Sequence, residues 1–376
     1  MREMYIANPD HTLGYAGNKI FGPLKRISNE IPAETFQRRT SELKQDEMWQ
    51  HVARINHTIN MAANEYFDSQ GSLFALLPLT TRMISSPGAL YGKERLDYTS
   101  DTVPVRLKWF GLKNEVFLAE SAQIYLELYL MSKGVKSVYS IYNSFRKEPS
   151  DATHLSEFHH IEYEGKVPQR KNKEIVLNLL GAITGRLLKQ NSDDLSFFLF
   201  DNDIEDLKTF RSRKAGTEIT FEQALDVLHK TTNESKYKQF STKHFGSWEE
   251  VKLTSEIDDM AIVTHFPLYE VAFYHAPLQE KGREVAENAD FVWPYYREIA
   301  GSGHRVRSLD ELLVKAKRFN LPQQDYKPYI ESRSSSRYEE TSGFGVGWER
   351  MLQGLLRTPY IYSASAFPRV HSTMYP

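Results

Sequence analysis

Ser144 to Gly165 reads SFRKEPSDATHLSEFHHIEYEG. Phe158 to Glu164 alternates with the period of two that marks a half-buried strand, and Ser144 to Glu148 sets Arg146 between strand-forming neighbours. Pro149, Ser150 and Asp151 between them are turn formers. The stretch therefore reads as a β-hairpin. Residues two apart on a strand share a face, so Arg146 and Glu148 on one strand and Glu162 and Glu164 on the other are expected to lie beside each other as two opposed charge pairs. Two readings are open for this stretch alone. It is a surface hairpin laced with salt bridges, or a site for a ligand that carries both phosphate and amine groups.

Upstream, residues 1–47 are polar, carry three prolines and read as an irregular N-terminal arm. From Met48 to Asp68, Val52, Ile55, Ile59, Ala62 and Ala63 recur at three- and four-residue spacing, which predicts an amphipathic helix ended by Gly71. A strand-like SLFALLPL follows. Val103–Phe110 and Glu115–Ala119 read as strands, and Ser121–Ser132 as a helix with Ser121 as its N-cap. Downstream of the hairpin, helical patterns at Glu174–Leu188, Asp203–Ser212 and Phe221–Thr231 describe a helical insertion over about 170–255, expected to cover one side of the site. Strand character returns at Ala261–Phe266 and Val271–Tyr274. Leu309–Phe319 reads as a helix, and Ser342–Leu356 is the last element before a strand ending Phe367-Pro368-Arg369. Strands and helices are mixed rather than strictly alternating, so the fold class is α+β with a largely antiparallel sheet flanked by helices. The main domain is placed at 48–376.

Composition narrows the chemistry. The chain has 376 residues, 40% hydrophobic and 26% charged, with a formal net charge of −2. There is no global basic field to capture nucleic acid. The absence of cysteine excludes disulfides, thiolate catalysis and cysteine-ligated metal sites. No apolar run approaches the ~18 residues of a membrane span and the N-terminus lacks a signal-peptide core, so the expected location is cytoplasmic, with no membrane partner. His159 and His160 are adjacent on a strand, point to opposite faces and do not share a metal. His265 and His275 read as solitary, satisfied polar residues.

Three separated features favour an anionic ligand. Arg146 lies in the hairpin. Arg350 follows Gly343-x-Gly345-x-Gly347 at a helix start, where small residues let backbone approach a ligand and free amides favour phosphate. That glycine run has neither the preceding strand nor the spacing of a dinucleotide fingerprint. Asp290 and Glu298 supply hard oxygens suited to Mg²⁺ carried on a triphosphate. Each has a bland counterpart: Arg146 paired with Glu148, Arg350 paired with Glu349, Asp290 as a cap.

In combination these segments resemble the catalytic core of class II aminoacyl-tRNA synthetases, in the aspartyl/asparaginyl branch. Gly71-x6-Pro78 after the long helix resembles the first motif of that class, FRKE…THLSEFHHIEYE the second and GFGVGWER the third. SAQIYLE at 121–127, ITFEQALDVL at 219–228, FPLYEVAFY at 266–274, Asp290-x7-EIAGSGHR and FPR at 367–369 extend the likeness over about residues 48–370.

The resemblance implies ATP and Mg²⁺ as cofactors and a homodimer built through the first motif. It implies that Arg146 grips the α-phosphate and Arg350 the γ-phosphate, that Phe158 stacks on adenine and Glu148 meets its amino group, and that His154 and Gly347 complete the ATP site. Asp290 and Glu298 would hold the metal. For the amino acid it implies Ser121, Gln123 and Glu162 near the α-amine and Arg305 facing the side-chain oxygen. Aspartate-activating relatives carry a Lys where this chain has Leu126, and Glu127 follows as in asparaginyl enzymes. A Glu there accepts from an amide and repels a carboxylate, so asparagine or a neutral or amine-bearing analogue is expected over aspartate.

The sequence also departs from the family. Thr153 stands where relatives have Arg, in a loop one residue shorter; Gly301-Ser302-Gly303 replaces Gly-Gly-Ser, and His304 a Gln or Met. About 47 residues before the first helix are too few for the anticodon-reading barrel of the tRNA enzymes, which leaves tRNA uncertain as a partner. Three functions follow: an asparagine-activating enzyme that serves an amine, peptide or tRNA acceptor end, an AMP-forming asparagine synthetase that joins aspartate and ammonia, and a non-catalytic regulatory paralogue.

Overall fold

A computed structural model of the chain describes residues 5–15, 18–26, 32–96, 102–148, 151–371 and 373–374. Pro149 and Ser150, assigned to the hairpin turn, lie outside these residues.

The long helix runs from Met48 to Ser69 and buries Val52, Ile55, Ile59, Ala62, Ala63 and Phe67 along one face. Gly71, at φ +68°, takes the left-handed conformation that lets the chain turn away. The main sheet has eight strands, numbered here in chain order: β1 Leu73–Phe74, β2 Ser137–Phe145, β3 Glu157–Gly165, β4 Thr217–Thr220, β5 Ala261–Thr264, β6 Asn288–Val292, β7 Glu298–His304 and β8 Ser342–Gly347. Their spatial order is β4-β5-β6-β7-β8-β3-β2-β1. The inner pairings are antiparallel, and the two edge strands β4 and β1 run parallel to their neighbours.

The back face of the sheet carries the core. Tyr139, Ile161, Tyr163, Phe344, Val346, Ala289 and Phe291 pack there with the long helix and with the Gln169–Gln190 helix, through Val176, Leu179, Leu180 and Ile183. Phe67 stacks on Tyr139 at a ring separation of 4.3 Å. Each such side chain contributes about 1.5–3 kcal/mol of burial, so this layer dominates stability. Within the 170–255 segment the Gln169–Gln190 helix backs the sheet, whereas the Phe221–Thr232 helix packs through Phe221, Ala224, Leu225 and Leu228 on Ala261, Val263 and Val292, and Val263 pairs with Asp290 and shares its front face. From the same segment Glu250, in the Ser247–Ile257 helix, accepts from Arg297 and from the Glu298 backbone at 3.0 and 3.1 Å.

Other expectations are corrected. Residues 5–45 hold three short strands (Tyr5–Ala7, Leu13–Tyr15, Asn18–Phe21) and a helix, Pro32–Gln45, rather than irregular chain. Val271–Tyr274 is not a strand. The segment before Arg369 is not a strand either; it meets the sheet edge through a bridge between Arg369 and Glu157. Val103–Phe110 shrinks to Arg106–Leu107, and Glu115–Ala119 to Val116–Leu118. The helix after Ser121 starts at Gln123 with Ala122 as its cap position.

Candidate active site

The hairpin pairs Ser144 with Phe158, Tyr142 with His160 and Ser140 with Glu162. Arg146 and Glu148 lie beyond the end of β2, so they do not stand opposite Glu162 and Glu164 as the sequence implied. On β3, Phe158, His160, Glu162 and Glu164 form the front row. Gly347, Gly345 and Gly343 of β8 stand directly across from the last three of these. The row continues through β7 to β6: Gly345 pairs with Gly301 and Gly301 with Asp290, while Gly343 pairs with Gly303 and Gly303 with Asn288. The five glycines leave a bare strip of sheet between two rows of functional side chains. The alternating glycines thus belong to a strand, not to a phosphate loop. A Cβ on Gly343 would collide with Glu164, Arg305 and Gln123; one on Gly345 would stand 3.2 Å from Glu162 Oε1; and one on Gly301 would stand 2.8 Å from Glu298 Oε1.

Over this strip lie two joined compartments. The first is lined by Arg146, Glu148, Thr153, His154, Phe158, Glu298, Gly347 and Arg350, which brings together every residue expected to meet ATP. Thr102 donates to Glu148 at 3.2 Å, and the Arg146 guanidinium stands 5.3 Å from the Phe158 ring centre. Arg146 and Glu148 approach to 3.9 Å, but Arg350 does not pair with Glu349. Arg350 donates to the carbonyls of Glu298 and Thr153, and Glu349 takes His159 at 2.6 Å. Thr153 is itself held by Arg297, which donates to its hydroxyl at 3.0 Å and to His154 Nε2 at 2.8 Å. A guanidinium from the β6–β7 turn thus meets the loop at Thr153.

The second compartment, about 260 Å³, is lined by Ser121, Gln123, Glu162, Asp290, Glu298 and Arg305, with Glu120 and His275. Arg146, His160, Glu298 and Gly345 belong to both compartments. Ser121 Oγ and the Ala122 N–H donate to Glu162 at 2.7 and 3.0 Å; burial nonetheless pushes the Glu162 carboxyl up. Arg305 donates to both oxygens of Glu164, at 3.0 and 2.7 Å, and to Gln123. His160 bonds Ser144 at 2.7 Å, and burial, then Arg146, keep its ring neutral well below the usual range. It faces the compartments while His159 faces away, as strand alternation requires.

Glu127 is placed differently from the expectation. It does not line the compartment; its carboxylate is engaged by Arg333, Tyr329 and Tyr338 behind it. His304 likewise points to the back face and bonds Ser342 at 2.8 Å. His265 pairs with Glu280 at 2.6 Å, but His275 is not a satisfied residue: its Nδ1 is buried with no partner among the described residues.

Asp290 and Glu298 converge above Gly301. Burial first, then the charges of Glu298 and Glu250, push the Asp290 carboxyl well up, and burial and Glu250 push Glu298 up. Two hard carboxylates that repel each other over open sheet fit a divalent cation. Among the described residues no third His, Asp or Glu completes a cage, so remaining ligands would come from phosphate oxygens and water, as Mg²⁺ prefers. Glu298 reaches the front face because the register between β6 and β7 shifts at Phe291/Val292; strict alternation with Gly301 would turn it to the back. Sequence reasoning missed Glu120, Glu250 and Arg297, none of which lies on a period that marks a site.

The model of the class II tRNA synthetases (D, K and N) matches residues 32–371. The chain belongs to this family. It is a class II aminoacyl-tRNA synthetase-like ligase. The asparagine–tRNA ligase of Pyrococcus abyssi is 28% identical over 329 residues, spanning 86% of this chain and 69% of that protein. The Chloroflexus aurantiacus enzyme of the same name is 29% identical over 330 residues, 86% and 70% of the two. Among solved structures, the Pyrococcus horikoshii asparaginyl-tRNA synthetase complexed with asparaginyl-adenylate superposes with a TM-score of 0.79 at 25% identity, covering 92% of this chain and 74% of that one.

Proposed function

We propose that this class II synthetase-like ligase activates asparagine with ATP to form asparaginyl-adenylate and pyrophosphate, and passes the acyl group to an acceptor other than a full tRNA, such as an amine, ammonia or a peptide. The supporting observation is the junction of the compartments: Arg146 borders both. An amino-acid carboxylate bound beside Glu162 and Gln123 would therefore meet the α-phosphate of ATP at one guanidinium.

The carboxylate oxygen attacks the α-phosphorus as the bond to pyrophosphate breaks, with no covalent enzyme intermediate. Arg146 offsets charge on the α-phosphate and Arg350 orients the far end of the triphosphate, while Phe158 and Glu148 hold the base. This is catalysis by positioning and preorganised charge. Asp290 and Glu298 would hold Mg²⁺, which neutralises triphosphate charge when bound.

The preference for asparagine rests on Arg305. Its charge is already matched by Glu164, so an aspartate carboxylate in the same place would face Glu164 without a free cation. An amide offers an acceptor to Arg305 without bringing a second negative charge beside Glu164. The second reading, aspartate joined to ammonia, needs that pair to open.

Pyrophosphate exchange against all twenty amino acids tests the proposal, followed by product analysis with ammonia and with tRNA. Asparagine-dependent exchange is expected. Exchange with aspartate alone would favour the second reading, and exchange with none would overturn both. The homodimer belongs to the same proposal. β1 sits at the sheet edge with Leu73, Phe74 and Leu76 exposed, an apolar edge that a second copy would cover.

A further inference from the structure

Glu120 closes the Val116–Leu118 strand's approach to the Ser121 turn and is 1% exposed. One of its oxygens accepts the backbone N–H of Ser86. The other, Oε2, is buried and has no hydrogen-bond partner among the described residues, although the side chain lines the second compartment beside Ser121, Gln123 and Glu162. A buried carboxylate oxygen without a donor is costly, by more than a neutral group would be. The other carboxylates in the compartment are accounted for. Glu162 holds Ser121 and Ala122; Glu270 holds Ser241 and Thr242 through one oxygen; Asp290 and Glu298 converge above Gly301, where the function proposed above puts Mg²⁺. The two guanidiniums are Arg146, at the phosphate junction, and Arg305, engaged with Glu164. The compartment is thus rich in negative charge, and the Glu120 Oε2 is buried in it without a donor from any described residue.

We propose that Glu120 is a substrate-binding residue: its Oε2 accepts from the α-ammonium group of the amino acid, which it clamps together with Glu162. This rests on the adenylate-forming reading above. The chemistry follows from charge and position. The cation balances Glu120 and Glu162, and the amino acid's carboxylate is then directed to Arg146. Because Ser86 is tied to the same carboxylate, amino-acid binding and the order of the turn around Ser85–Pro87 are coupled through one side chain.

The geometry has a consequence in solution. Burial, opposed by Arg146 and assisted by Glu148, pushes the Glu120 carboxyl up to about 7. The other titratable groups that sense it, Tyr274 and Tyr326, are held neutral by burial. Below pH 7 the free protein therefore holds a proton on Glu120 that the incoming ammonium displaces.

Glu120→Gln keeps the shape and the acceptor for Ser86. In pyrophosphate exchange it is expected to raise KM for asparagine 10- to 100-fold with KM for ATP within twofold of wild type. It is also expected to remove the fall in asparagine KM as pH rises from 6 to 7.5. An unchanged asparagine KM, or a KM for ATP raised by the same factor, would overturn the assignment while leaving adenylate formation intact. Should the variant not fold, the wild type answers by calorimetry in buffers of different ionisation enthalpy at pH 7. Asparagine is expected to release a proton on binding and the deaminated analogue succinamic acid none. Equal proton release by both ligands would refute the clamp. A wild-type protein that binds no amino acid at all would refute the adenylate reading as well.

Discussion

Arg305 and Glu164 form a two-point ion pair whose side chains are 2% and 0% exposed, with nitrogen–oxygen distances of 3.0 and 2.7 Å. Removing one partner of such a pair costs about 3–5 kcal/mol, because the other charge stays buried. Glu164→Gln should therefore lower the melting temperature. It should also leave Arg305 free for a substrate carboxylate, raising the ratio of kcat/KM for aspartate over asparagine at least tenfold. A ratio unchanged in pyrophosphate exchange would show that the pair does not set specificity.

Arg146 stands where the compartments join. Arg146→Ala is expected to lower exchange about 10²–10³-fold through lost charge stabilisation, with the thermal melt preserved. Arg350→Ala should act mainly on KM for ATP. Retained exchange in Arg146→Ala would refute its role.

The bare strip of glycines separates steric from chemical effects. Gly343→Ala would drive a methyl into Glu164, Arg305 and Gln123, whereas at Gly347 the nearest atom is Arg350 Cβ at 3.8 Å. Gly343→Ala should remove asparagine binding measured by calorimetry, and Gly347→Ala should keep it within a few-fold. Equal effects would mean that the strip is not the floor of the amino-acid compartment.

The carboxylates on β6 and β7 make a pH prediction with a defined sign. Free Asp titrates near 3.9, and Asp290 is raised above this by burial, Glu298 and Glu250. A carboxyl raised in the folded state contributes stability that is full below its unfolded value and is lost as pH rises through its folded one. Asp290→Asn removes that loss. The variant's melting temperature should exceed that of wild type, and the gap should widen as pH rises above the free-Asp value of about 3.9, while Mg²⁺-dependent exchange falls. A gap that narrows with rising pH would contradict this account.

At the sheet edge, Leu76 is 87% exposed. Sedimentation at micromolar concentration should show a dimer, and Leu76→Asp with Phe74→Asp should convert it to monomer. A wild-type monomer would leave β1 without the partner proposed for it.

Several features were legible because they depend on local periodicity. The stripe Val52–Ile55–Ile59–Ala63 makes the long helix whatever it packs on, and the alternation Phe158–His160–Glu162–Glu164 makes a strand with those four on one face. Val271–Tyr274 was misread because an apolar run resembles a strand when no partner is in view. Gly343–Gly345–Gly347 was placed at a helix start rather than on a strand because glycine carries no strand preference of its own; pairing with β3 and β7 makes it a strand.

The sequence by itself determined the α+β class, the hairpin and the identities of the charged groups, since these follow from spacing along the chain and from residue type. Only the tertiary structure decided who meets whom. It engaged Glu127 with Arg333, brought Glu298 to the front through a register shift, and set the 170–255 helices on both faces of the sheet. It also left Glu120 facing the compartment with one oxygen that no described residue meets. Pairing register and long-range packing bring together residues far apart in the chain, and no local pattern encodes those encounters.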